Sequence, residues 1–399
     1  MIKNLPAELF EAVVDNIDNP SDIFFLALTC KQFERILLVR LEYIHISAPS
    51  QHSALWHHLA THPELARHVR TLRITSIAQR LPGVIPRFDQ RSVRTVCDPD
   101  VDVSTFCQAL RWMVDLRAIQ WGCDHSVPHF SGDGVWDTLK ESCPRLSEVG
   151  VVDLRVGRFG RLDVEGDGSG GHPWVYNSKI FNLCDITKFS MVTGALEASR
   201  DDKNVDPLKN FLLRCPDLDT LVIRFPSQLI SLSPPSFDDI FTQGHWPNLK
   251  ILSLSNVVCS PEVFHKFLSR HPNIEALDIA EGYASPIPWQ AIQPGSLPNL
   301  REFKGPVGAL PWIAAAGAPL ETILNINVQA IHAMRAWNIL EAAFSAMSST
   351  LRRIQLVPTR SRSNNTEFIA EWIHRAAPDA RIELLSGFCW VPGQGFVGK

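Results

Sequence analysis

The sequence predicts a mixed α/β protein in which a short helical module, residues 1–45, precedes an irregular α/β solenoid, residues 46–399. Two patterns predict this architecture. Helix-capping signals and helical hydrophobic spacing fill the first forty residues. After them, one short motif, apolar-x-x-apolar-x-apolar, recurs ten times. A chain of 399 residues is also long for one simple core, which agrees with a module followed by a repetitive domain.

Helix signals divide the first forty residues into three short helices. Pro6 suits the first turn of a helix, because the amide hydrogen that proline lacks goes unused there, and apolar residues follow it at helical spacing. Residues 19–22, Asn-Pro-Ser-Asp, end this helix and begin a second one. Residues 29–32, Thr-Cys-Lys-Gln, have the spacing of a capping box and begin a third.

The same stretch, LPAELFEAVVDNIDNPSDIFFLALTCKQFERI over residues 5–36, resembles the F-box family. The matching features are the LPAEL start, the apolar step to Ile17, the Asp22-Ile23 dipeptide and the LALTCKQF segment. Phe33 departs from the family pattern, since many members carry tryptophan there, although an aromatic anchor is kept. The resemblance implies a helical module that docks a protein onto a Skp-type adaptor of a cullin-based ubiquitin ligase. An ordinary helical cap on a larger domain is the alternative.

An adaptor-binding surface follows from the resemblance and from the excess of apolar side chains on so small a module. Removing one large apolar side chain from water contributes roughly 1.5–3 kcal/mol, and a few central anchors usually dominate an interface. The residues predicted to bind the adaptor are Leu5, Pro6, Glu8, Leu9, Val13, Ile17, Leu26, Leu28, Cys30, Lys31, Phe33 and Ile36.

The ten later motifs predict repeats that each contain a helix, a turn marked by proline and a short strand. A typical unit has a helical stripe around Phe211, a Cys215-Pro216 turn and the LDTLVI strand, residues 218–223. Most units start 20 to 35 residues apart, a period that indicates a solenoid. A non-repetitive α/β domain with leucine-rich strands is the alternative.

The motif resembles leucine-rich repeats, in the irregular form found behind F-boxes in fungal proteins. The asparagine or cysteine expected three residues after the last leucine is missing, and Pro226, Val257 and Gly282 stand in its place in three of the best units. We therefore expect an F-box followed by an irregular, leucine-rich-repeat-like solenoid whose turns lack the usual hydrogen-bonded ladder.

Three stretches interrupt the period and are predicted to be loop insertions. They cover residues near 75–102, 155–177 and 231–244. Insertions of this kind lie at the edges of a solenoid and often meet partners. Loops without a binding role are an equally good interpretation.

The middle residues of the predicted strands are candidates for client binding. If the repeats are correct, these residues lie on one side of the sheet, and their mixed charges favour protein recognition. The alternative is a solvated strand face without a partner. The predicted client-binding residues are Arg73, Gln120, Arg224, Asp278, Lys304 and Gln355, with Trp121 and Phe225 near the same rim.

Composition narrows the classes of function. A formal charge of −4 gives no overall attraction to nucleic acid or to anionic membranes. No signal peptide or run of about 20 apolar residues is visible. Nine scattered cysteines without a CxxC pair favour reduced thiols. We therefore expect a cytoplasmic or nuclear protein that binds neither nucleic acid nor membrane.

No motif for catalysis, a cofactor or a metal assembles in the sequence. The glycine-rich residues 166–171 lack the lysine and hydroxyl of a phosphate-binding loop. Cys123, His125 and His129 lack a second ligand pair, and Pro128 interrupts any shared helix face. GxSxG is absent. The sequence therefore predicts that the chain is not an enzyme, and that it has no catalytic residue, no metal and no cofactor.

These observations favour the substrate-recognition subunit of an SCF-type (Skp-cullin-F-box) ubiquitin ligase. The resemblance implies that the F-box docks on a Skp-type adaptor, and through it on cullin, while the repeats bind a client protein of unknown identity for ubiquitin-dependent degradation. Two alternatives stay open at this point. One is an adaptor-bound scaffold outside a ligase, and the other is an enzyme whose site is built from non-sequential loops.

Overall fold

A computed structural model gives the structure of the protein and describes residues 13–14, 17, 20–49, 52–75, 103–122, 134–153, 175, 178–193, 205–225, 235–280, 292–334, 337–358 and 363–397. The chain divides into two compact units. The first contains Met1–Arg161 and Pro173–Leu183, and the second contains Leu162–His172 and Cys184–Lys399. The predicted boundary after residue 45 stays a prediction, and so does the grouping of residues 46–399 in one domain.

The first unit alternates helices with parallel strands. Strands β1 to β4 pair in chain order without any change of register, so that Ile46, Leu72, Ile119 and Val149 form one buried row. The elements are α1 (Pro20–Ala27), α2 (Lys31–Ile44), β1 (His45–Pro49), α3 (Ser53–Thr61), α4 (Pro63–Ala66), β2 (Thr71–Thr75), α5 (Val103–Trp112), β3 (Ala118–Gly122), α6 (Gly134–Ser142), β4 (Glu148–Asp153) and a 3-10 turn (Lys179–Asn182).

Helices α1 and α2 share a small core of their own. Ile23 and Ala27 lie one turn apart on α1, and Phe33 and Leu37 lie one turn apart on α2, so each helix directs one stripe to the other. Arg70 fastens this core to the start of β2, because its guanidinium donates to the carbonyl of Ile17 at 2.6 Å and to that of Val14 at 3.2 Å. The N-terminal residues therefore belong to the packing of the first unit.

The second unit repeats the same arrangement over more strands. Strands β5 to β12 are parallel and pair in chain order, whereas β13 and β14 are antiparallel. The elements are β5 (Lys188–Thr193), α7 (Asp206–Leu213), β6 (Thr220–Arg224), α8 (Asp238–Gln243), β7 (Ile251–Ser255), α9 (Pro261–Arg270), β8 (Ala276–Ala280), β9 (Glu302–Lys304), a 3-10 turn (Val307–Ala309), α10 (Leu310–Ala315), β10 (Thr322–Asn327), α11 (Val328–Met334), α12 (Trp337–Met347), β11 (Arg353–Val357), α13 (Ser363–Ala376), β12 (Arg381–Leu384), β13 (Cys389–Val391) and β14 (Gly395–Val397).

The strands of the second unit bury one face only. Alternate side chains point to opposite faces of a strand, and in register the buried face carries Leu221, Leu252, Leu277 and Phe303. The helices cover this face with aromatic side chains, such as Phe241 of α8. The apolar residues of the sequence motif are therefore the core, and the mixed α/β class is confirmed.

From β5 to β10, each strand is preceded by a carbonyl that accepts two hydrogen bonds from the next repeat. The carbonyl of Lys250 accepts from the amides of Glu275 and Ala276 at 2.8 and 3.0 Å. The carbonyl of Glu275 in turn accepts from those of Arg301 and Glu302 at 2.8 and 2.9 Å. The same pattern continues to the carbonyl of Glu321, which accepts from the amides of Arg352 and Arg353, and we call it the strand-entry ladder. It satisfies backbone groups that would otherwise be buried without partners.

An asparagine ladder is present, but not at the position where the sequence comparison with leucine-rich repeats looked for it. The side-chain amide of Asn273 donates from Nδ2 to the backbone carbonyl of Pro247 at 2.8 Å. The side-chain amide of Asn299 donates in the same way to the carbonyl of Pro272 at 3.1 Å. Both asparagines directly follow the proline of a turn. These bonds join turns that precede the strands, so the predicted lack of a ladder in the turns that follow the strands stays a prediction.

The predicted insertions fall mostly outside the described residues. Residues 76–102, 154–174 and 231–234 are among these, and so are the glycine-rich stretch and Cys123, His125 and His129. The third predicted insertion also includes Asp238–Gln243, which forms α8 with Ile240 and Phe241 buried. That part supplies the helix of a repeat, because its apolar residues have helical spacing and two aspartates favour its first turn.

His271 connects two repeats inside the core of the second unit. The backbone amide of Trp246 donates to Nε2 of His271 at 2.9 Å, and Nδ1 of His271 donates to the carbonyl of Phe267 at 2.6 Å. The first bond needs a neutral ring, because Nε2 can accept only when it carries no proton. Burial lowers the pKa of His271 to about 4, and the positive charges of Arg270 and His245 act in the same direction.

We predict that His271 makes the stability of the second unit depend on pH. Between pH 6.5 and about pH 4 the unfolded chain binds a proton at this residue that the folded chain does not. The free energy of unfolding should therefore be highest above pH 6.5 and fall towards pH 4, by on the order of 3 kcal/mol for this group. Urea unfolding at pH 7.5, 5.5 and 4.5 measures this dependence.

The matched variants are His271→Gln, which cannot titrate, and His57→Gln, which removes an exposed histidine of the first unit. The His271 variant should be less stable at pH 7.5 and show a flatter pH profile, whereas the His57 variant should follow the original chain. An unchanged profile in His271→Gln would contradict the prediction.

Candidate functional site

The predicted adaptor-binding residues divide into three groups in the structure. Leu5, Pro6, Glu8 and Leu9 lie outside the described residues, as does the side chain of Ile36. Ile17, Leu26 and Cys30 are partly buried against the core of the module. Three members of the set are exposed, namely Val13, Leu28 and Lys31.

Phe33 lies in the core of the module and not on its surface. Its side chain is only 6% exposed and belongs to the same buried cluster as Ile23 and Leu37. The sequence comparison made it an adaptor-binding anchor because the family places an aromatic residue there. In the structure its ring fills the space between α1 and α2, and its role in adaptor binding stays a prediction.

Two exposed aromatic residues were missed by the sequence reasoning. Phe24 is 48% exposed, Phe25 is 64% exposed, and Leu28 beside them is 65% exposed. They lie away from the core because Ile23 and Ala27 occupy the inward stripe of the same helix. The signal was present in the segment DIFFLAL, in which a helix of this length can bury only one side. We call Phe24, Phe25 and Leu28 the α1 patch.

Three of the predicted client-binding residues meet on the open face of the second unit. Oδ2 of Asp278 on β8 accepts from Nη2 of Arg224 at 2.8 Å and from Nζ of Lys304 at 3.0 Å. Ser253 joins them, because its hydroxyl donates to the same oxygen at 3.2 Å and accepts from Nη2 of Arg224 at 3.1 Å. We call these four residues the Asp278 network.

The parallel register brings the Asp278 network together. Ser253, Asp278 and Lys304 are direct partners on β7, β8 and β9, and Arg224 reaches across from β6. Oδ1 of Asp278 is buried and accepts no hydrogen bond from the described residues. One carboxylate therefore holds two cations at its other oxygen, which leaves excess positive charge at a partly open position.

The remaining predicted client-binding residues lie on open strand positions but do not join the network. Arg73 and Gln120 are exposed partners on β2 and β3 of the first unit, and Gln355 lies on β11 of the second. Trp121 and Phe225 were expected near the rim, yet both are buried. Their rings pack against aromatic residues of the helices, Trp121 against Trp136 and Phe225 against Phe237.

A second ion-pair group on the open face was not predicted. The Glu383 side chain is 6% exposed and pairs with Arg353 at 3.2 Å through Oε2 and with Arg381 at 2.9 Å through Oε1. The signal lies in the strand sequences RIQL and RIEL, where arginine and glutamate occupy alternate positions on one face. Together with the Asp278 network, four cations share two carboxylates.

Burial disfavours ionisation of two cysteine thiols, and therefore disfavours nucleophilic chemistry at them. Burial raises the pKa of Cys143 to about 12 and that of Cys215 to about 11, so neither thiol ionises at neutral pH. Among the described residues, no group of three or more His, Cys, Asp and Glu side chains is arranged to hold a metal ion. Within that same part of the chain, no helix is long and apolar enough to cross a membrane.

Comparisons with known proteins give little guidance. No family model matches the sequence, and no curated protein matches it. Among solved structures, one chain from the crystal structure of the Rad7 and Elc1 complex in yeast is similar, at 13% sequence identity and a TM-score of 0.39. The similarity covers 82% of this chain and 72% of that chain. A TM-score this low carries no argument about function, so the surfaces are interpreted from their own residues.

We predict that Asp278→Ala destabilises the second unit and makes its open face more positive. The substitution leaves Arg224 and Lys304 without their shared acceptor, and it should lower the free energy of unfolding by about 1–2 kcal/mol, because the charge-assisted bonds are partly open to solvent. Urea unfolding at low salt measures this loss. Glu302→Gln is the matched control, since Glu302 is exposed on the neighbouring strand. An equal effect of both substitutions would contradict the assigned role of the network.

Proposed function

We propose that this chain is the substrate-recognition subunit of an SCF-type ubiquitin ligase. In this proposal the N-terminal module is an F-box that docks on a Skp-type adaptor, and cullin joins through that adaptor. The open strand face of the second unit binds the client protein. The chain performs no catalysis itself and acts by holding client lysines near the enzyme that carries ubiquitin, which raises their effective concentration.

The α1 patch is the observation that carries the adaptor part of the proposal. Two large aromatic side chains are exposed on a helix of only 8 residues, and Leu28 is exposed directly after it, beside a core that the same helix already completes with its other face. Apolar patches of this kind mark interaction sites, and aromatic residues are frequent anchors. The resemblance of residues 5–36 to an F-box names the class of partner.

The Asp278 network supports the client-binding part of the proposal. Arg224 and Lys304 converge with the buried Ser253 on one carboxylate, and the two cations stand at open strand positions where a partner can reach them. These side chains carry mixed charges with a positive excess. Such a surface selects its partner mainly by complementary charge, and less by the area that binding buries. The network belongs to the second unit and the α1 patch to the first, so adaptor and client use separate residues.

We predict that Phe24→Asp combined with Phe25→Asp abolishes adaptor binding without unfolding the protein. Both side chains are exposed, so a carboxylate costs little in the free chain but would be buried against the adaptor. The affinity should fall roughly tenfold or more. Co-purification of the full chain with a Skp-type adaptor, followed by a titration, measures the loss. Circular dichroism checks the fold.

Ile339→Asp is the matched control, because Ile339 is also an exposed large apolar residue on a helix. It should bind the adaptor like the original chain. Failure of the original chain to bind, or equal binding by the α1 variant, would make the N-terminal module a helical cap.

Cullin separates the proposed ligase subunit from a scaffold that works outside a ligase. A ternary complex of chain, adaptor and cullin is expected on size-exclusion chromatography. A stable chain–adaptor complex that excludes cullin would overturn the ligase role and keep only the adaptor interaction.

A further inference from the structure

A cleft of about 410 Å³ opens in the second unit at the turns that precede β9, β10 and β11. Its volume falls in the range of small-ligand sites, roughly 300–1,000 Å³. The cleft lies at the starts of the strands and does not include any residue of the Asp278 network. Its lining is polar and charged, with Asn299, Arg301, Pro319, Glu321, Thr350 and Arg352 as the residues that matter here.

The cleft exists because the asparagine ladder ends at Asn299. Asn273 and Asn299 each follow the proline of their turn and donate to the preceding turn. In the next repeat the turn is one residue shorter, so Pro319 stands at the asparagine position. Proline has neither an amide hydrogen nor a polar side chain. The ladder therefore cannot continue across this repeat, and space opens between the turns.

The two arginines of the cleft have different partners. Nη1 of Arg301 pairs with Oε1 of Glu321 at 2.8 Å. Arg352 donates from Nη2 to the carbonyl of Ser349 at 3.0 Å, and among the described residues it has no carboxylate within 4 Å. A guanidinium offers five N–H donors in a planar fork, so most donors of Arg352 remain available at the cleft.

The residues that precede successive strands alternate in charge, and the end of this series leaves excess positive charge at Arg352. From one repeat to the next, the residue of the strand-entry ladder alternates in sign: Asp219, Lys250, Glu275, Arg301 and Glu321. The alternation ends at Arg352, because the uncharged Ala380 stands at the corresponding position before β12, where Arg381 is the register partner of Arg353. Lys250 and Arg301 each have an acidic residue on both sides in this series, whereas Arg352 has one, Glu321, on one side only.

We propose that this cleft is an oxyanion-binding site in which Arg352, assisted by Arg301, binds a carboxylate or phosphate group. The planar fork of arginine matches the two oxygens of such a group. Asn299 lines the same space and donates one Nδ2 hydrogen to the carbonyl of Pro272, so its second Nδ2 hydrogen can orient the ligand. The oxyanion is carried either by a small molecule or by the acidic side chains of a peptide. The site is independent of the proposed ligase function, since it uses neither the α1 patch nor the open strand face.

We predict saturable binding of an oxyanion to the full chain that depends on Arg352. Isothermal titration with malonate, with inorganic phosphate and with a peptide of six glutamates supplies the probes, and a peptide of six glutamines is the neutral control. Arg352→Gln should weaken binding about tenfold by removing the bidentate donor. Glu321→Gln should strengthen it about threefold, because Arg301 then loses its competing carboxylate. Binding should also weaken with added salt.

Arg111→Gln is the matched control, because it removes the same charge from an exposed arginine of the first unit. It should leave binding unchanged. Binding of malonate or phosphate identifies a small ligand as the source of the oxyanion, whereas binding of the glutamate peptide alone identifies an acidic segment. Absence of saturable binding for every probe would overturn the proposal, and so would an equal loss in Arg352→Gln and Arg111→Gln.

Discussion

The strand-entry ladder is the interaction on which the rest of the structure depends. At each step one carbonyl accepts two amides of the next repeat, as Lys250 does for Glu275 and Ala276. The ladder fixes where each strand starts relative to the next, and a shift of a whole strand by one residue would turn its buried side chains outward. The same constraint aligns the buried row and the open face. Asp278 meets Lys304 and Ser253 because of this register.

The sequence predicts the repeats well and the contacts between repeats poorly, for physical reasons. A strand that buries one face has apolar residues at alternate positions. This local pattern predicts strands such as Thr220–Arg224 and Ile251–Ser255 from the sequence. The Arg224–Asp278 ion pair joins residues 54 positions apart and depends on register across three strands. Likewise, the position of Phe33 in the core follows only from the packing of α2 on α1.

The three surfaces use different physical chemistry and are therefore separable. The α1 patch is apolar and suits a partner that buries it, because exposed aromatic area is the main source of its affinity. The Asp278 network is charged and half-open, and in the proposed function it contributes selectivity for the client. At the cleft, the dominant feature is one arginine with unused donors. A substitution at one surface should leave the other two unchanged, since no residue is shared among them.

The most direct measurement of the proposed function is hydrogen exchange of the full chain with and without a Skp-type adaptor. Docking through the α1 patch predicts slower exchange over Pro20–Ala27, with no change over the strands of the second unit such as Ala276–Ala280. Slower exchange confined to the second unit, or no change anywhere in the chain, would contradict the assignment of the N-terminal module as the adaptor-binding element.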